Sequence, residues 1–388
     1  MKIRVFLFYS VLVINYTYAQ WQSTSGPTRP ASALIYFDQF LFAGCSSVST
    51  NNGIYKTMNN GDTWISCNNN GINYAINSLA TVDSYIFAAQ YNEVYISGNL
   101  GENWTNVSSG LPSYNVNTLA GENGKIFAGT FGLYYSTNYG LTWENISPIS
   151  GTITSLAVQG NTIFAGTASD GIYRSTNLGI DWTSTSSGLP NSSINAIEIY
   201  GSIIVAGTNL GIYKSVNYGS NWNQTNISDL ISSFCIIGTD IFAGSNTGGV
   251  FKSFSNCSVW ANINEGLEIL NVRTIAANDY YLFAGCYPSV VCRRPLSQII
   301  TQIDQPSDKY DLSVYPNPAS SKMNINFPEK FGNNVELKIF NINGNSEFVY
   351  KGPYQKHFEL DVRNFIKGVH FLILKTDKKY LIEKIIIK

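Results

Sequence analysis

The sequence predicts an all-β chain in which seven like units are followed by a smaller, different β module. Three observations carry that reading. All seven tryptophans, Trp21, Trp64, Trp104, Trp143, Trp182, Trp222 and Trp260, fall at spacings of 38 to 43 residues. A second marker keeps the same interval. The segments ending in Gly44, Ala89, Gly129, Gly166, Gly207, Gly244 and Gly285 each run from a β-branched residue or leucine, through Phe or Val and then Ala, to Gly or Ala. Charged residues make up only 13 % of the chain while aromatics reach 14 %, which suits short strands and tight turns better than long helices. A period near forty residues marks a stack or ring of like units.

The chain opens with Lys2 and Arg4, then an apolar run ending at Thr17-Tyr18-Ala19. This is the pattern of a signal peptide over residues 1–19, cleaved after Ala19. The run is too short, and too interrupted by Asn15, to read as a membrane span. Export permits disulfides. Cys45 and Cys67, Cys235 and Cys257, and Cys286 and Cys292 share units, but spacing does not choose among pairings. There is no CxxC and no His–Cys cluster, so neither a metal site nor a cofactor is expected.

The fifth unit shows the repeat most cleanly. Ile194–Ile199 alternates like a strand, Gly201 turns the chain, and Ile203–Thr208 is a second strand. Asn209-Leu210-Gly211 turns again into Ile212–Ser215, and a last turn leads to Trp222, which opens a fourth strand. Four short antiparallel strands per unit form one blade of a β-propeller. No stretch has the helical periodicity that a solenoid of this period would need. The segment Trp21–Pro27 mimics Trp182–Pro190, and the last unit, near Leu282–Pro295, lacks a tryptophan. The N-terminal strand is therefore expected to complete the last blade and remove a free edge. Seven tryptophans and seven second strands predict a seven-bladed β-propeller over residues 20–297.

The third turn reads Ser-x-Asn-x-Gly-x-x-Trp at Ser97–Trp104, Ser136–Trp143, Ser175–Trp182 and Ser215–Trp222, with Thr57–Trp64 a close variant. In the sixth copy Ser255 and Cys257 replace Asn and Gly. Asn can cap the turn with its own side chain, Gly tolerates positive φ, and Trp closes the hairpin by burial. The motif resembles the Asp-box (BNR) repeat of sialidase-like propellers, with Asn where that family most often has Asp. The resemblance implies a structural turn on the face away from the ligand site. A similar single propeller with such boxes occurs in the photosystem assembly factor family.

After Ser297 the pattern stops. Residues 298–310 read as a polar linker, and residues 311–388 as a small immunoglobulin-like β-sandwich of about seven strands. This module carries Tyr315-Pro316-Asn317-Pro318, a Leu337–Gly344 segment, Phe358–Val362 with Asp361, Gly368–Phe371, and a final Lys-Ile-Ile-Ile-Lys. It resembles the type A C-terminal sorting domain of the type IX (Por) secretion system of Bacteroidetes. The resemblance implies recognition by that machinery at the outer membrane, with a product secreted or held at the cell surface. Tyr315, Pro316, Asn317, Pro318, Gly344, Asp361 and Gly368 are the motif positions, and His370 departs from the aromatic or aliphatic residue usual there.

A net charge of −1 leaves no basic surplus to neutralise phosphates, so nucleic acid is not an expected partner. Residues 20–300 carry nine basic against fifteen acidic groups, and residues 301–388 thirteen against ten. Both histidines lie in the second part. A sialidase would need three arginines for the substrate carboxylate and a Tyr–Glu pair with an Asp. Only Arg29, Arg174, Arg273, Arg293 and Arg294 are available before the linker, and Arg174 fills a Lys/Arg repeat slot. Glu265, Glu268, Asp83 and Asp229 stand outside the repeat pattern, so a glycoside hydrolase working through loop carboxylates is the alternative. The preferred expectation is a monomer that binds an extracellular glycan or protein without catalysis. Its expected ligand face comprises Tyr74, Tyr114, Asn117, Asn195, Glu265, Glu268 and Arg273. Arg273 occupies the slot held by Ser32, Asn77, Asn117, Thr154, Asn195 and Ser232 in the other units.

Overall fold

A computed structural model describes residues 20–46, 52–149, 151–190, 193–254, 256–288, 290–299, 312–327, 334–341, 346–375 and 380–388. The expected signal peptide, most of the expected linker and Gly344 lie outside them. The chain divides into two compact units between Ile299 and Ile300.

The described residues of the first unit form seven four-stranded antiparallel sheets, numbered in order of their first strands, Ala31–Phe37, Ile76–Val82, Thr118–Glu122, Ile153–Gln159, Ile194–Tyr200, Ile231–Ile237 and Val272–Ala277. Sheet 5 runs Ile194–Tyr200, Ile203–Thr208, Gly211–Ser215 and Asn223–Gln224, close to the sequence reading. The outermost strand starts one residue after Trp222 and is only two residues long. Sheet 7 takes three strands from the end of the unit, Val272–Ala277, Tyr281–Cys286 and Val291–Pro295. Its outermost strand is N-terminal: Gln22 pairs with Arg293 and Ser23 with Cys292. Innermost strands of successive sheets touch in series, and that of sheet 7 touches that of sheet 1. A single helical turn, Leu296–Ile299, ends the unit.

The apolar core lies between sheets. Second strands are buried along nearly their whole length, because each is covered on both faces by a neighbouring sheet. One cluster joins Phe42 and Ile54 of sheet 1 to Ile76, Ile86 and Trp104 of sheet 2. Another joins Leu34 and Leu41 of sheet 1 to Phe283 and Val291 of sheet 7. The marker glycine has a clear cause here. A Cβ on Gly44 would come 2.5 Å from Ile76 Cγ2 in the next sheet, and one on Gly207 would come 2.6 Å from Ile231 Cγ2. On Gly285 it would meet Ala31 at 2.9 Å, across the seam between sheets 7 and 1. The second strand carries glycine at that point because the next sheet's first strand lies against its backbone.

Each repeat turn is tied by its own side chains. In sheet 5, Gly219 N–H donates to Ser215 Oγ at 2.8 Å, and Ser215 Oγ–H donates to Asn217 Oδ1 at 2.9 Å. Asn217 Oδ1 also accepts from Asn221 N–H at 3.0 Å. Tyr218 and Gly219 take φ of +55° and +81°. In the degenerate sixth turn Asn256 and Cys257 still take φ of +55° and +64°, so the conformation outlasts its preferred residues. The tryptophans do more than close their own hairpins. Trp104 Nε1–H donates to the Cys67 carbonyl at 3.0 Å, just past the outermost strand of the preceding sheet. Trp143, Trp182 and Trp222 do the same to Val107, Ile146 and Thr185. Trp21 reaches Ile263 at 2.6 Å, 242 residues away in sequence, and so repeats the bond at the end of the ring. Trp260 bonds within its own turn, and the buried Trp64 indole N–H has no acceptor among the described residues.

In the second unit, Ser313–Tyr315, Lys322–Asn326 and His357–Asp361 form one sheet, and Asn334–Asn341, Ser346–Pro353, Gly368–Lys375 and Tyr380–Ile387 another. Both sheets contribute to one core, with Met323, Ile325 and Leu360 from the first and Leu337, Leu372 and Ile385 from the second.

Trp104→Phe keeps the ring but strands a buried carbonyl, and should cost about 1–2 kcal/mol in urea unfolding. Trp64→Phe removes an N–H that has no acceptor among the described residues and should be close to neutral. Equal losses in the two variants would show that indole volume matters here and the bond does not.

Candidate functional site

The topology gives the first unit two ends. Hairpins between first and second strands lie at one end of every sheet, and the repeat turns of sheets 1 to 6 lie at that same end. Turns between second and third strands, and connections entering the next sheet, lie at the other, which we call the loop face. Asp83 falls in a first hairpin, away from the loop face, where Tyr139 OH donates to it at 2.8 Å.

The polar slot expected to meet a ligand is a set of inter-sheet staples. Asn77 Nδ2–H donates to Val116 O at 3.0 Å, Asn117 Nδ2–H to Ile153 O at 3.1 Å and Asn195 Nδ2–H to Ile231 O at 3.1 Å. Thr154 and Ser232 hydroxyls donate to Ile194 O and Val272 O in the same way. Each short donor sits on, or just before, a first strand and reaches the start of the next sheet. Arg273 breaks the series. Its guanidinium lies 3.9 Å from the centre of the Tyr287 ring, and its buried Nε has no partner among the described residues.

Between the first strands lies a cavity of about 500 Å³ lined by Ser32, Asn77, Thr118, Glu198, Cys235 and Arg273 among others. Burial pushes the Glu198 carboxyl up to about 7, against a weak bond from Ile199 N–H at 3.3 Å. Burial, and then the neighbouring Glu198, push the Cys235 thiol up to about 12, which leaves it a poor nucleophile. All six cysteines are thiols. Among the described residues, no group of His, Cys, Asp and Glu has metal-binding geometry.

Glu265 is engaged elsewhere than expected. It lies in the turn before Leu267, its carbonyl accepts from Trp21 N–H at 2.8 Å, and its carboxylate takes Arg294 Nη1–H at 2.7 Å. That places it beside the outermost strand of sheet 7. Arg294 is fully buried and also donates to Ile263 O, the acceptor of Trp21. It stands where the other sheets have the Ser or Thr that opens the repeat turn. The sequence offered Arg294 only as one of five arginines before the linker; its place in the Ser slot was the available signal. Arg293 pairs with Asp62 at 2.9 Å and Arg174 donates to the Tyr218 carbonyl, so neither is free for a substrate carboxylate. Asp229 accepts from Thr247 at 3.2 Å, and Glu268 is exposed.

Exposed rings gather on one sector of the loop face. Tyr74 and Tyr114, both expected there, stand in the connections into sheets 2 and 3, and Tyr91 and Phe131 in the turns of those sheets. Sequence reading missed Tyr91 and Phe131, although both follow the buried residue just after the Ala-Gly or Ala-Ala marker.

Of the expected sorting-motif residues, Asn317 meets the final strand of the second unit. Asn317 Oδ1 accepts from Ile386 N–H at 2.9 Å, and Ala319 exchanges backbone bonds of 2.8 Å with Ile386 and Lys388. The Pro-Asn-Pro segment thus clamps the final strand. Asp361 caps Arg363 N–H, and its side-chain bond to Arg363 holds its carboxyl near 2. Gly368 takes φ of +134°. His370 is buried against Glu347, 3.1 Å from its carboxylate, so a polar residue is accommodated by a paired acceptor.

Residues 313–388 match the secretion system C-terminal sorting domain. Residues 79–204 match the DUF6242 β-propeller domain. No curated protein matches the chain. Among solved structures, the chain aligns over 94 % of its length with 54 % of a domain of BT4673 from B. thetaiotaomicron, named as the extracellular domain of a one component system, at 14 % identity and TM-score 0.60. It aligns over 72 % of its length with 99 % of YCF48 from Cyanidioschyzon merolae at 14 % identity and TM-score 0.57. Virginiamycin B lyase from Staphylococcus aureus covers 71 % of the chain with 98 % of its own, at 11 % identity and TM-score 0.58. These likenesses are ones of fold. A propeller domain with a type IX sorting tail makes this a protein exported to the cell surface or beyond, and implies contact with the type IX machinery.

Glu198 holds its proton in the fold up to about pH 7, whereas the unfolded chain loses it near 4.5. Folding is unpenalised below 4.5, loses stability as pH rises to 7, and is level above that. Glu198→Gln should therefore stabilise the protein by about 1–2 kcal/mol at pH 8, after discount for residual solvent contact, and by nothing at pH 4. A pH-independent gain in thermal unfolding would contradict this. Glu265→Ala leaves the Arg294 charge buried and should cost about 2 kcal/mol in the same assay.

Proposed function

We propose that this chain is an exported binding protein, led by a signal peptide over residues 1–19, that presents a ligand on the loop face and performs no catalysis. In this reading the seven sheets are the blades of one closed, Asp-box type propeller, and residues 311–388 are an immunoglobulin-like sorting module. The observation that carries it is the contrast between the two kinds of loop-face side chain. Aromatic rings stand open on neighbouring turns, while the candidate acids are separated or engaged. Asp83 is at the other end of its sheet, Glu265 is paired with Arg294, and Asp229 is bonded to Thr247. A hydrolase of the two-carboxyl kind needs two such groups about 5–10 Å apart in one cleft. Tyr74, Tyr114, Glu268 and Arg273 remain the ligand-face candidates from the original set, and Tyr91 and Phe131 join them. Asn117 and Asn195 act by holding the first strands that carry the face.

The full chain, incubated with a broad set of glycosides and polysaccharides, should release no sugar. Release that disappears in Glu198→Gln or Asp229→Asn would sink the non-catalytic reading. In cells with type IX secretion, removal of residues 313–388 should leave the protein inside the outer membrane; surface display without them would sink the export reading.

A further inference from the structure

Tyr74, Tyr91, Tyr114 and Phe131 leave 58, 63, 56 and 45 % of their surface open. Their turns are linked in series. Gln90 Oε1 accepts from Asn73 N–H at 3.3 Å and Tyr74 N–H at 3.2 Å, next to Tyr91. The Tyr91 carbonyl accepts from Val116 N–H at 2.7 Å, two residues beyond Tyr114. The Tyr114 and Phe131 ring centres are 5.4 Å apart. Other units do not repeat the pattern. The Tyr74 and Tyr114 position holds Arg29, Gly151, Asp229 and Leu270 elsewhere, and the Tyr91 and Phe131 position holds Ser46, Ala168, Asn209, Asn246 and Tyr287. The fold therefore does not require these rings. Tyr91 even occupies the first position of a two-residue turn at φ +48°, a place ordinarily left to glycine.

The sector carries one acid, Glu93, two residues from Tyr91. No Asp, Glu, Lys or Arg occurs between Asp62 and Asp83, between Glu102 and Glu122, or between Lys125 and Glu144. Glu93, the nearest acid to Tyr91, has its oxygens taken by Gln90, Tyr95 and Asn106. A surface this poor in charge favours a partner without charge. Nor does it offer aliphatic anchors or an arginine, the other groups from which protein interfaces build their centres. Ile72 is buried, and Leu111 packs into the core between sheets 2 and 3. What it presents is flat apolar ring faces, three bearing hydroxyls, flanked by the exposed amides of Asn73 and Asn115 and the Ser113 hydroxyl. Those groups complement the C–H face of a sugar ring and its hydroxyl rim.

We propose that Tyr74, Tyr91, Tyr114 and Phe131 form a stacking platform for a neutral polysaccharide. This assignment rests on the loop face being a binding surface. Affinity electrophoresis of the full chain in gels holding soluble glucan, mannan or xylan, with polygalacturonate as the acidic control, tests it. At least one neutral polymer should retard the protein, and Tyr91→Ala with Tyr114→Ala should weaken retardation at least tenfold. Thermal unfolding of that variant should match the parent, since the rings are exposed, and Tyr91→Phe, which keeps the ring, should still bind. Retardation unchanged in the double variant, by the acidic polymer alone, or by none overturns the platform. Capture of a purified surface protein through these same rings would also overturn the glycan assignment while leaving the binding reading intact. Hydrolysis of a polymer would overturn the binding reading itself.

Discussion

An outermost strand of two residues cannot hold a sheet edge by its own ladder, and the sheets of the first unit depend on what crosses between them. The indole N–H of one sheet donates to the carbonyl that ends its neighbour, in five of the seven copies. At the inner end, the short polar side chains of the first strands make the matching bonds. Between these two sets, the glycine of six of the seven second strands lets the next sheet's Ile, Val or Ala rest against its backbone. Position along a sheet and distance between sheets are thus set at the rim, the middle and the centre. None of these contacts is made within a single unit, so no unit has reason to fold alone.

Closing the set poses a different problem at its last member. Sheet 7 borrows its outermost strand from the N-terminus and has no turn of its own at that corner, because the chain leaves through Leu296–Ile299. Arg294 fills the vacated Ser position. A buried guanidinium is costly unless its charge is met, and Glu265 meets it from the preceding connection. Arg294 and Trp21 then converge on one carbonyl, that of Ile263. At the neighbouring seam, between sheets 7 and 1, the Trp64 indole finds no acceptor among the described residues. There Gly26 packs against the Trp64 ring, and Ser25 bonds to the Gly61 and Asp62 carbonyls.

Much of this was legible because periodicity repeats its evidence. One Ile-Phe-Ala-Gly segment is ambiguous, but seven at one interval are not, and the repeat turn reads directly as Asn capping and Gly at positive φ. What the sequence hid were partners rather than elements. Asn117 and Asn195 have the polarity of a ligand ring, and nothing local says that their amides are consumed by carbonyls 36 residues on. Glu265 looked like a free loop acid because its partner lies 29 residues away in a slot that elsewhere holds serine. In the second unit, the contact of Asn317 with Ile386 spans 69 residues, so the two ends of the sorting motif appear separate until they are folded together.

Repetition also supplies a criterion for function. Each position of the unit is filled up to seven times, so the residues that the architecture needs can be recognised by recurrence. A departure must then be explained either by a local irregularity of the ring or by something outside it. Arg294 is of the first kind, since it substitutes for a missing turn and is sealed inside. Cys257 is too, since it holds a glycine conformation and is buried in the core between sheets 5 and 6. Arg273 is intermediate, stacked on Tyr287 with one nitrogen unsatisfied. Tyr74, Tyr91, Tyr114 and Phe131 are of the second kind: they recur nowhere as a set and face solvent. Exposed aromatic surface carries a hydration cost that folding does not recover. In the platform proposal that cost is recovered by contact with another molecule, and the scarcity of charge around the rings limits what that molecule can be.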